Sequence, residues 1–128
     1  MTPRRWSLLA AALLGLAAML TPVLIHPGQA YNAPLFPLVR AAVERVSWSS
    51  AGLLLVAGLI VGCFGAGPPW QLGLATMALF PLSAIAEMFA DGTSHNLWPL
   101  EFVMYGVLSV PAIVGACVGR AARGASKP

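Results

Sequence analysis

The residues of this chain that are able to do chemistry are few, and most lie in one stretch. Three of the four acidic residues, Glu87, Asp91 and Glu101, and one of the two histidines, His95, fall within EMFADGTSHNLWPLE, residues 87–101. Glu87 and Asp91 are spaced i, i+4, so a helix that continues to Asp91 points both carboxyls to one side. His95 follows four residues later, beyond Gly92, a natural helix break. Together with Glu101 and the distant His26, these side chains make a mixed nitrogen and oxygen set of the kind that holds Zn, Mn, Fe or Cu(II). The same groups at the end of a membrane helix also suit proton or cation binding. There is no HExxH, no ExxH and no paired cysteine. The five residues therefore form a candidate polar or ion cluster, and no metal centre is assigned.

A purely structural account competes at nearly every position. Asp91-Gly92 makes a turn, Thr93 and Ser94 bond nearby backbone, Asn96 caps the following helix, and Trp98 anchors it at the headgroups. Glu87 either binds a proton or ion, or it snorkels to the interface or bonds Tyr105 or Ser83. Only His95 and Glu101 are left without a local role.

Other chemistries lack a signature. No GxSxG elbow occurs, and the glycines at 65 and 67 are not followed by Lys-Ser/Thr as in a phosphate loop. The reading is non-enzymatic, with no catalytic residue and no cofactor. Nucleic acid is excluded as a partner, because no basic run interleaved with aromatics is present. Cys63 and Cys117 each sit in an apolar run and read as free thiols.

The elements that position the cluster follow from composition. The chain has 128 residues, 59% of them hydrophobic and 9% charged. Soluble domains carry about 25% charged residues, and one this small cannot hide so much apolar surface. A lipid solvent removes the conflict. Residues 6–25 form an uncharged run of 20, enough to cross a hydrocarbon core of about 30 Å. The small-residue sequence ending at Ala30 is the rival reading of a cleaved signal peptide, but the run is longer than a signal core. From 46 to 86 there is no charge, and Gly65-Ala-Gly-Pro-Pro divides this length into a tight hairpin. The expectation is an all-α integral membrane bundle of four transmembrane helices forming one domain. The spans run over residues 6–25, 47–64, 70–90 and 97–119.

Residues 37–47 differ from these. Leu38, Val39, Ala42, Val43 and Val46 share one helical face, while Arg40, Glu44 and Ser47 share the other, predicting an interfacial amphipathic segment. Trp6, Trp48, Trp70 and Trp98 each mark the edge of a span. Pro22, Pro81 and Pro111 lie inside spans and predict kinks. Gly58/Gly62 and Gly115/Gly119 are GxxxG pairs, read first as packing within the chain and second as self-association or contact with other membrane subunits. Four spans put both termini on one side. Arg4, Arg5, Arg120, Arg123 and Lys127 lie there, against Arg40 and Arg45 opposite. Five against two places the termini in the cytoplasm, with the Glu87–Glu101 connector outside, and the Arg-, Ala- and Gly-rich composition suggests a bacterial inner membrane. Two functions fit: an accessory or structural membrane protein, or a small oligomeric transporter or channel with a proton or cation site at the outer end of the third and fourth spans.

Overall fold

The computed structural model describes residues 1–28, 35–93 and 96–126, and every described element is helical. Six helices follow in order: α1 Pro3–Ile25, α2 Pro37–Glu44, α3 Trp48–Phe64, α4 Pro69–Ala75, α5 Leu79–Ala90 and α6 Trp98–Ala125. Helix α1, the α4–α5 unit and α6 are each long and apolar enough to cross a membrane, and α2 with α3 makes a fourth crossing if that bent pair is one span. In α1, α4–α5 and α6 at most 39% of the apolar stretch is buried within the chain. The outward surface is aliphatic: Val103, Val107, Val110, Val114 and Val118 form an exposed stripe down α6. In water such a stripe would drive aggregation, whereas in lipid it costs nothing. These proportions are those of an integral membrane protein.

The opposite face of α6 is built from small residues. Tyr105, Ser109, Ala112, Gly115, Ala116 and Gly119 are all buried, and the most extensive contact of α6 is with α3. The contact is reciprocal. A methyl group on Gly58 or Gly62 would strike the backbone carbonyl of Ala112 or Ala116, and one on Gly115 or Gly119 would strike that of Leu55 or Leu59. Backbone meets backbone at all four glycines, which is how GxxxG pairs gain close van der Waals packing in lipid. Gly15 of α1 meets the backbone of Thr76 in the same way, and Gly73 of α4 meets Ile113. The core beside these seams holds Met19, Leu54, Leu72 and Phe80, each with no exposed surface.

The span expected as one helix over 70–90 is broken into α4 and α5. Around the break the amides of Thr76, Met77, Ala78 and Phe80 bond carbonyls three residues back instead of four. Pro81 explains this tightening, since it has no N–H for the Met77 carbonyl and its ring crowds that group. The other two interior prolines behave differently. Helix α1 runs on through Pro22 and α6 through Pro111.

At the end where α1 starts and α6 stops, the hairpin of residues 65–69 is held by side chains. The Ser7 hydroxyl accepts from the Ala66 N–H at 2.8 Å. Arg120 donates to the carbonyls of Gly65 (3.1 Å) and Gly67, and Arg123 donates to Gly65 at 3.3 Å. Gly67 turns the chain with φ 127°, a region that favours glycine. Cys63 donates its thiol to the Gly119 carbonyl at 3.4 Å, and Cys117 is exposed, so both cysteines are free.

At the other end α3 opens with a capping box, Ser47 and Ser50 exchanging side chain to backbone bonds. Helix α2 meets it at 107° and lies across the bundle end. Its apolar face is rotated from the expected one. Ala41 and Ala42 are buried, whereas Leu38 is 53% exposed and Val46 38% exposed. The two alanines let α2 approach α1 closely, and Leu38 is left to project outward.

Candidate functional site

Helix α2 supplies one wall of a cavity of about 250 Å³ at this bundle end. Its start is set by Pro37, which stands in the first turn where a missing N–H costs nothing. The preceding residue, Phe36, still has its N–H, and that group donates to Oε1 of Glu87 at 2.9 Å. Glu87 lies one turn before the end of α5 and is 2% exposed. Its carboxylate therefore joins α5 to the entry of α2.

One turn along α2, Arg40 donates through Nε to Glu44 Oε1 at 2.8 Å, an i, i+4 pair that is partly open to solvent. Arg40 and Glu44 line the same cavity as Glu87 and Glu101, with Ser83 and Tyr105 beside them. The guanidinium is held above its ordinary pKa, first by the Glu44 hydrogen bond and then by the negative charges of Glu44, Glu101 and Glu87, against partial burial. One cation thus sits in the field of three carboxylates. Tyr105 is buried with its ring 6.2 Å from Phe80 and 5.9 Å from Phe102, and its hydroxyl neighbours the Glu101 carboxyl one turn earlier on α6.

The five residues of the candidate cluster separate. Glu87 and Glu101 share the cavity. Asp91 is exposed beyond the end of α5, where Oδ1 accepts from both the Thr93 N–H (2.9 Å) and the Thr93 hydroxyl (2.7 Å). The Thr93 hydroxyl bond first, and the backbone bond second, lower the Asp91 carboxyl below its ordinary range. His26 is exposed at the C-terminal end of α1, where its carbonyl accepts from Arg45 at 3.3 Å. His95 and Ser94 lie outside the described residues. Among the described residues no group of three His, Cys, Asp or Glu is gathered closely enough to hold a metal ion.

Two local expectations are corrected. Asn96 does not cap α6, whose N-cap is Leu97 with no side-chain bond; Pro99 in the first turn has no N–H for a cap to accept from. Ser83 does not serve Glu87, because its hydroxyl bonds the Phe80 carbonyl of its own helix at 2.7 Å. Sequence reasoning also missed two members of the site, Arg40 and Glu44, by assigning them to a water-facing surface. The adjacent alanines at 41 and 42 were the available signal, because small paired residues mark the side on which a short helix packs.

Chemically, the arrangement can hold a carboxylate proton or accept a cation among carboxylates. Comparison of the chain with family models, with curated proteins and with solved structures finds no match in any of the three.

Proposed function

We propose that this chain is a non-enzymatic accessory or structural protein of the bacterial cytoplasmic membrane, with four spans and both termini in the cytoplasm. The Lys and Arg bias toward the terminal side supports that orientation. The observation that carries the functional reading is the state of the buried polar side chains. Ser50, Thr76, Glu87 and Ser109 are the buried polar residues among those described. Thr76 and Ser109 each bond a carbonyl three residues back in their own helix at 2.6 Å, Ser50 serves the α3 capping box, and Glu87 binds the Phe36 amide. A transport path needs polar groups directed at a passing ion, and Ser50, Thr76 and Ser109 are instead directed at groups of their own helices. The backbone-to-backbone seam between α3 and α6 likewise leaves no space for a conduit between those helices. The partners proposed are the bilayer and other membrane subunits or a second copy of the chain.

A second reading rests on one observation, the three carboxylates around Arg40 in an open cavity. On that reading Glu87 and Glu101 hold a proton or cation at the outer end, within an oligomer. Reconstitution into liposomes separates the two. Proton and monovalent-cation flux should equal that of protein-free vesicles, and the protein should co-purify from native membranes in a stoichiometric complex. Flux in the wild type that Glu87→Gln abolishes would transfer the assignment to the second reading.

A further inference from the structure

The end of the bundle opposite the acidic cavity carries a second feature. All four acidic residues lie at or beside that cavity, so no Asp or Glu is available to the arginines at the terminal end. Arg4, Arg120 and Arg123 all bond neutral groups: Arg4 the Gln71 side-chain oxygen, and the other two the hairpin carbonyls. Among the described residues their charges are thus held in place with no carboxylate against them. The Nε of Arg120 is buried without a hydrogen-bond partner.

Immediately beneath this cluster a groove of about 280 Å³ runs between α1 and α3. Apart from Ser7 its walls are apolar, with Trp6, Ala10, Leu14, Ile60, Val61 and Phe64, and Gly65 closes one end. Gly65 is the residue whose carbonyl Arg123 and Arg120 hold. An apolar channel therefore opens directly under fixed positive charge. Trp6 is 58% exposed and Phe64 84% exposed, so the groove faces the surrounding solvent, which in a bilayer is acyl chain.

We propose that this is a binding site for one anionic phospholipid. Its phosphate lies among Arg4, Arg120 and Arg123, and one acyl chain lies along the α1–α3 groove. Charge complementarity selects the anionic headgroup, and the groove selects a lipid over a soluble anion. This goes beyond the accessory role argued above and does not depend on it.

Native mass spectrometry of the detergent-solubilised protein tests the proposal, with equal amounts of phosphatidylglycerol and phosphatidylcholine added. The wild type retains phosphatidylglycerol selectively. Losing two surface arginine contacts lowers affinity about 30-fold, so R4Q/R123Q loses the selectivity while phosphatidylcholine retention stays as it was. Ala10→Trp leaves every arginine in place at an exposed position and fills the groove, and it abolishes phosphatidylglycerol retention. Millimolar inorganic phosphate does not displace the lipid. Equal retention of the two lipids by the wild type, unchanged retention in Ala10→Trp, or displacement by phosphate would each overturn the assignment. Displacement by a poly-glutamate peptide would reassign the arginines to an acidic protein segment.

Discussion

Replacing Glu87 by alanine and by glutamine separates a structural carboxylate from an ion-carrying one. In the native fold Oε1 accepts the Phe36 N–H at 2.9 Å, and the residue is 2% exposed. Alanine removes a charge-assisted bond and leaves the amide without that acceptor, a loss of about 2 kcal/mol. The adjoining cavity lets water enter the vacated space, so the void adds little beyond that figure. Glutamine keeps an oxygen at the same position and should lose less than about 1 kcal/mol. The direct readout is hydrogen exchange at the Phe36 amide in detergent micelles. Protection should fall about 30-fold in Glu87→Ala and less than about 5-fold in Glu87→Gln, since 1.4 kcal/mol corresponds to tenfold. Unfolding by SDS, followed by circular dichroism, should rank the two variants in the same order. Unchanged protection of Phe36 in Glu87→Ala would refute the claim that this carboxylate anchors α2. Equal loss in both variants would mean that charge, and not acceptor geometry, holds the contact.

Other outcomes follow from the same contacts. Gly58→Ala should destabilise the protein by about 1–3 kcal/mol in SDS titration, because the added methyl meets the Ala112 carbonyl, which cannot rotate away. Gly52→Ala on the same helix meets nothing within 4 Å and should be neutral or stabilising by up to about 1 kcal/mol, so similar losses at both sites would remove the seam argument. Ser47→Ala breaks the α3 capping box and should cost about 1 kcal/mol in the same titration. The Asp91 carboxyl should titrate by NMR below the ordinary aspartate range, and Thr93→Val should bring the midpoint back up. Because this pKa is depressed in the fold, the turn's stabilisation is present above the unfolded aspartate range. It is lost as pH falls through the lowered value.

The helices and the hairpin were readable from uncharged run lengths and from Gly65-Ala-Gly-Pro-Pro, which write their boundaries locally. The packing of Gly58, Gly62, Gly115 and Gly119 was readable as small-residue spacing. What local pattern could not tell was which proline breaks its helix. Pro22, Pro81 and Pro111 look alike in sequence, yet only in the turn before Pro81 does the helix divide. Close backbone contacts distinguish that region, with Thr76 against Gly15 and Gly73 against Ile113, and these join residues distant in sequence. The site was legible to the same degree. Glu87 and Glu101, grouped by their closeness in sequence, fall in one cavity. Arg40 and Glu44 join them only because α2 folds over at 107°, an angle that no periodicity encodes.

The Gly65 and Gly67 carbonyls have a bearing on how the chain is assembled. Their side-chain donors, Arg120 and Arg123, lie 53 to 58 residues further along. During synthesis the hairpin is therefore inserted well before the groups that fasten it exist, and α3 must wait for its glycine partner on the same helix. Helix α6 is thus the one that locks the helices before it into register. A chain truncated before Arg120 would reach the membrane with its spans present and its central turn unfastened.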